Sequence, residues 1–187
     1  MLERLPLLEQ LQQITMHFDE TKVGDTGAVA IGSSLEKLEQ LRQILMNFNG
    51  TRVGDAGAVE FSCTKLGDAG AVAIGRGLEK LKQLQQMTMY FNDTQVGDTG
   101  AVAIGSGLGN LKKLQQITMS WNGTQVGDAG AVAIGSGLEK LKQLQQMTMY
   151  FNDTQVGDIG AASTDHDGIQ LYQTRGYWSG RHRQRPG

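Results

Sequence analysis

From Leu78 the chain reads LEKLKQLQQMTMYFNDTQVGDTGAVAIGSG, and this 30-residue stretch returns. Leu78, Leu108 and Leu138 hold one register; Val96, Val126 and Val156 hold another. Residues 66–98 and 126–158 differ only at Leu66/Val126 and Arg76/Ser136. A period of this size constrains the fold more than any other feature. A unit so short cannot bury its own apolar face, so the units must stack and bury it against each other.

Each unit has two halves. In the first, QQMTM alternates polar and apolar residues, which predicts a short strand. Met87 and Met89 then face inward, while Gln86 and Thr88 face the other way. Seven of the eight methionines (Met16, Met46, Met87, Met89, Met119, Met147 and Met149) fall on the inward positions. Flexible thioethers suit a core built from near-copies. In the second half, GDTGAVAIGSGL predicts an outer helix. Ala101, Ile104 and Leu108 form its apolar stripe. Asp98 is expected to be its N-cap. Gly105 and Gly107 each weaken it by up to about 1 kcal/mol relative to alanine, which predicts short helices held by packing. Leu78, Leu81, Leu84 and Met87 also recur every third residue, as in a coiled coil. A strict spacing of three drifts around a helix, however, and Gly, Asp and Asn breakers follow in every unit.

Leu84, Met87, Met89 and Asn92 fit the pattern LxxLxLxxN, which occurs five times. This resembles the leucine-rich repeat. GDxGAxAIGxxL is similar to its ribonuclease-inhibitor-like subfamily, found in cytosolic inhibitors, GTPase activators and the sensor regions of nucleotide-binding innate immune receptors. The resemblance implies an α/β solenoid with a curved parallel sheet inside and short helices outside. It also implies an asparagine ladder through the turns at Asn49, Asn92, Asn122 and Asn152. Asp19 replaces asparagine in the first repeat, and because a carboxylate cannot donate as an amide can, that end of the ladder is expected to be weaker. The subfamily unit is about 28 residues; the two extra here fall between Asn92 and Val96 and should bulge the loop.

The solenoid is expected to span residues 1–162, starting with a repeat at 5–32. A truncated unit lies near 54–77: the step from Leu35 to Leu78 is 43 residues, 17 short of two units. Two helix-like segments, about 55–63 and 68–77, therefore follow one strand. Strands 44–46 and 87–89 should still pair, with the surplus helix squeezed outward. Cys63 falls in this irregular stretch and reads as a packed or idle thiol. Residues 163–187 read as an irregular, basic tail. Neither end shows a cap, so self-association through the ends of the stack is a further expectation.

Net charge is −2, which gives no global case for nucleic acid. The tail, with Arg175, Arg181, His182, Arg183, Arg185 and nearby aromatics, reads as solvated rather than RNA-binding. A single cysteine excludes a disulfide framework. The first residues lack the apolar run of a signal peptide or membrane span, so a cytoplasmic location is expected. Four Asn-x-Thr sequons, at Asn49, Asn92, Asn122 and Asn152, are explained more simply by the ladder. No GxxxxGK[ST], HExxH or CxxC is present. Ser163, Asp165, Asp167 and Gly168 resemble the start of a calcium loop, but Thr174 stands where its closing glutamate should be. The reading is therefore of a protein that is not an enzyme, with no cofactor and no metal.

Function is expected on the concave face. Its columns contain Gln86, Gln116 and Gln146; Thr88, Thr118 and Thr148; and Tyr90, Ser120 and Tyr150. A fourth column, Phe91, Trp121 and Phe151, is either a core spine or part of the surface. The candidate partner-binding residues are Gln86, Thr88, Tyr90, Gln116, Thr118, Trp121, Gln146, Thr148 and Tyr150, contacting a protein partner by hydrogen bonds and aromatic anchoring. The alternatives are an enzyme regulator of the same fold, as an inhibitor or GTPase activator, and a nonfunctional fragment of a larger repeat protein.

Overall fold

The computed structural model describes residues 10–19, 21, 23–50, 66–157, 169–174 and 177–182, the last two stretches by their backbone. Strands and helices alternate: β1 (Gln13–His17), α1 (Asp25–Leu35), β2 (Gln43–Asn47), α2 (Asp68–Leu78), β3 (Gln86–Tyr90), α3 (Asp98–Leu108), β4 (Gln116–Ser120), α4 (Asp128–Leu138) and β5 (Gln146–Tyr150). β1 to β5 form one parallel sheet in chain order. The register is that of the repeat: Gln43 pairs with Gln86, Gln86 with Gln116, and Gln116 with Gln146. Each helix packs on the next. The architecture is an open α/β repeat solenoid. The leucines spaced by three do not share a helix: Leu78 ends α2, Leu81 and Leu84 lie in the connection, and Met87 is in β3.

The core lies between sheet and helices. Met46, Met87, Met89, Met119, Met147 and Met149 are buried, and Met16 is partly buried at the first strand. Ala101, Ile104 and Leu108 have no exposed surface, so the expected helix stripe faces the sheet.

Across the truncated unit, β2 pairs directly with β3. The segment at 55–63, with Cys63, lies outside the described residues. Helix α2 fills the place between α1 and α3, and its glycines explain why this segment fits. A Cβ at Gly75 would sit 2.5 Å from the carbonyl oxygen of Ala103, and one at Gly77 would sit 2.5 Å from that of Gly32. Both distances are below van der Waals contact. The upstream copy carries Ser62, Thr64 and Lys65 where α2 has Gly75, Gly77 and Leu78. It would push two side chains into neighbouring backbone and place a lysine at a fully buried leucine position. The glycines therefore do more than weaken each helix. They let adjacent helices touch backbone to backbone, which offsets their entropic cost.

Capping also differs from expectation. The N-cap of α3 is Gly97, which makes no side-chain cap bond. The carboxylate of Asp98 instead reaches the next repeat. Its Oδ1 accepts from the N–H of Gly127 at 2.7 Å and of Gly130 at 2.9 Å, the N-cap and third residue of α4. Asp68 does the same for Gly97 and Gly100, and Asp25 for Gly67 and Gly70. Each aspartate thus satisfies N–H groups that its neighbour's helix leaves open, at the positive end of that helix. Asp98→Ala should lower stability by about 1–2 kcal/mol, as loss of a cap does, and Asp98→Asn by less, because its amide oxygen still accepts. Urea unfolding of the two variants checks this ordering.

Residues 163–187 were expected to be irregular, but two strands occur within them: β6 (Ile169–Thr174) and β7 (Tyr177–His182), paired antiparallel to each other. β7 also pairs antiparallel with β5, which places this hairpin on the last edge of the parallel sheet. The composition accounts for the difference. Ile169, Leu171, Tyr172, Thr174, Tyr177 and Trp178 all favour strands, and β5 would otherwise present an open edge of N–H and C=O groups. No helix among the described residues is long and apolar enough to cross a membrane.

Candidate functional site

Helices cover one face of the sheet, and no helix among the described residues covers the other. The strand alternation decides which residues reach it. Gln86, Gln116 and Gln146 are exposed; Thr88, Thr118, Thr148, Tyr90 and Tyr150 are half-buried. All eight lie on the open face as expected. In-register pairing lines them up in straight rows: Gln86–Gln116–Gln146, Thr88–Thr118–Thr148 and Tyr90–Ser120–Tyr150. Rows continue toward the first repeats through Gln43, Leu45 and Asn47 and through Gln13, Thr15 and His17. No charged residue occurs in β2 to β5. At the outermost strand His17 Nδ1 lies 3.6 Å from Asp19 Oδ1.

Trp121 is not part of this face. It is 0% exposed and offers nothing to a partner. It continues a stack of rings: Phe18 on Phe48 at 5.1 Å between centroids, Phe48 on Phe91 at 5.8 Å, and Phe91 on Trp121 at 4.5 Å, all within 18° of parallel. Alternation counted on from Ile117 and Met119 puts residue 121 on the inward side, so the strand pattern itself gives this direction and the expected surface role of the ring departed from it. The indole Nε1 is buried and meets no partner among the described residues.

The turns beside this face are built from the sequons. Asn49 Oδ1 accepts from the Asn92 N–H, Asn92 Oδ1 from the Asn122 N–H, and Asn122 Oδ1 from the Asn152 N–H, at 2.8–3.2 Å. These are the expected ladder rungs, and each uses the amide oxygen as acceptor. At the first repeat the arrangement changes. The Asn49 N–H donates to Asn47 Oδ1, and Asp19 Oδ1 accepts from Asn47 Nδ2. A carboxylate can accept as well as an amide, so the absence of a donor group is not what distinguishes this end. Thr94 and Thr124, the third sequon residues, are buried and donate to the carbonyls of Phe91 and Trp121. The asparagines themselves are half-buried or, at Asn152, exposed, rather than enclosed. The two extra residues per unit form a tight turn in which Asp93, Gly123 and Asp153 take positive φ.

The tie from Ser120 to the ladder and the contribution of β7 were not read from the sequence. Ser120 is 3% exposed, and its hydroxyl donates to Asn92 Oδ1, so the tyrosine row is tied to the ladder at its middle. The backbone of β7 continues the rows beyond β5: Arg181 is the register partner of Gln146, Ser179 of Thr148, and Tyr177 of Tyr150. The alternation within the tail was the available signal. No group of three or more His, Cys, Asp or Glu side chains placed to hold a metal occurs among the described residues. Searches with this chain found no matching family model and no matching curated protein.

Proposed function

We propose that the chain is a non-enzymatic protein-recognition module that binds its partner across the open face of the sheet. The observation that carries this reading is the array of in-register glutamine, threonine and tyrosine rows on a face that no helix among the described residues covers. Amides and hydroxyls supply directional hydrogen bonds, and tyrosines supply area at low conformational cost. Rigid strands hold them at fixed spacing, which suits recognition of a folded surface or an extended segment. The LxxLxLxxN and GDxGAxAIGxxL patterns add support, because they resemble leucine-rich repeats of the ribonuclease-inhibitor-like kind. On that resemblance the module acts in the cytoplasm, as the sensor region of an innate immune receptor does. Burial of the sequon threonines supports the same location, since the turn itself accounts for the Asn-x-Thr pattern.

The test is affinity capture with wild-type chain and with Tyr90→Ala/Tyr150→Ala of matched circular dichroism. A partner held by wild type should be lost at least about tenfold, as for anchor residues worth about 1.4 kcal/mol or more. Undiminished capture by the variant moves the site off this face.

A further inference from the structure

The stack sorts charge as well as polarity. Parallel, in-register strands place every helix-to-strand connection at one edge and every strand-to-helix connection at the other. The connections entering β3, β4 and β5 carry Lys80, Lys82, Lys112, Lys113, Lys140 and Lys142, all exposed, against two glutamates, Glu79 and Glu139. The opposite edge carries Asp93, Asp98, Asp128 and Asp153, and its turns in these repeats contain no basic residue. A chain of net charge −2 thus has one strongly basic flank.

Helix capping accounts for only part of it. Lys112 Nζ donates to the carbonyl of Gly109 at the end of α3, and Lys113 Nζ to Gln83 Oε1. Lys82, Lys140 and Lys142 make no side-chain hydrogen bond or ion pair among the described residues. Neighbouring rungs lie about 4.8 Å apart, well inside the ~8 Å screening length of physiological salt, so the lysines repel one another and their field sums outward. The backbone of the hairpin reaches the same flank. Arg181 is the register partner of Gln146, the first residue of β5, and so lies at the edge where the lysines enter the sheet.

We propose that this lysine edge docks an acidic, extended polypeptide segment. Combined with the open-face reading, on which it rests for its partner being a protein, it specifies a partner whose surface carries carboxylates along one side. Three rungs span about 10 Å, the length of three to four extended residues. Nucleic acid fits less well. The half-buried aromatic side chains that could stack bases, Tyr90 and Tyr150, lie at the far ends of the strands, and the aspartate edge repels a long polyanion.

The experiment uses the full chain and fluorescence anisotropy. The probes are a fluorescein-labelled oligoglutamate about six residues long and a labelled oligouridine of about the same length. Oligoglutamate should bind at about 20 mM NaCl and weaken at least tenfold by about 300 mM. Lys82→Glu/Lys140→Glu/Lys142→Glu should lose at least about tenfold in affinity. The Lys→Gln triple, which only removes charge, should lose less. Tyr90→Ala/Tyr150→Ala should bind oligoglutamate as wild type does. No binding at low salt, binding that survives charge reversal, or tighter binding of oligouridine overturns the proposal. The tyrosine pair affects only the open-face reading and the lysine triple only this one, so either can fail alone.

Discussion

Gly105→Ala should destabilise the chain by at least about 2 kcal/mol, while Gly135→Ala should be neutral or stabilising by up to about 1 kcal/mol. The two residues occupy the same position in successive units, and their helices differ only at one residue, Thr99 against Ala129. A Cβ at Gly105 would lie 2.5 Å from the carbonyl oxygen of Ala133 and 2.8 Å from its carbon. Both are backbone atoms of a packed helix and cannot swing aside. α3 and α4 would have to separate, losing contact along their whole length, and overpacking of this kind costs about 1–3 kcal/mol or more. At Gly135 no described atom comes within 4 Å of the added carbon, so what remains is the helix preference of alanine over glycine, about 1 kcal/mol. Urea denaturation of both variants checks the contrast. Equal effects at the two sites would mean that close helix approach is not what glycine provides here.

Phe91→Ala should cost about 3–5 kcal/mol, the range for truncating a buried aromatic. Phe91 is fully buried and has a ring on each side, Phe48 at 5.8 Å and Trp121 at 4.5 Å. Those rings are fixed by turns that hydrogen bonds hold: Thr94 and Thr124 donate to the carbonyls of Phe91 and Trp121. The surroundings therefore cannot collapse into the space, and the cavity remains. The loss should also spread, because a solenoid unit is stable only against its neighbours. A broadened or two-step thermal melt by circular dichroism, with a lowered midpoint, is the expected signature. Tyr90→Ala, at the adjacent half-buried position, should cost far less. Similar losses at the two positions would argue against the ring stack as part of the core.

Much of the fold could be read from the chain because a repeat supplies its own control. The strands at Gln86–Tyr90 and Gln116–Ser120 share a pattern, so both must place Met89 and Met119 inside and Thr88 and Thr118 outside. In-register pairing then follows, since a slip of one residue would turn methionines to solvent. The truncated unit obeyed the same logic, and β2 met β3 across it. The open-face rows were legible for this reason, and so was the burial of Trp121, which falls at the same alternate positions as Ile117 and Met119; its place among the surface candidates came from its ring chemistry and not from the pattern. The tail's pairing was hidden because β7 follows no repeat and depends on a free edge that exists only once β5 is in place.

The sequence by itself determined the period, the alternation of strand and helix in the repeats, the faces of β1 to β5 and the inward stripe of their helices. These depend on contacts within a unit or between neighbouring units of the same pattern, and they recur wherever a unit has both neighbours. The tertiary structure alone decided three things. It selected 68–78 over its upstream copy, because a carbonyl of one helix meets the missing Cβ of another. It sent the Asp98 carboxylate to cap the helix of the next repeat. It gathered lysines from three connections, with Arg181, onto one edge. Each depends on a distance between units, and such distances are fixed only when backbones pack.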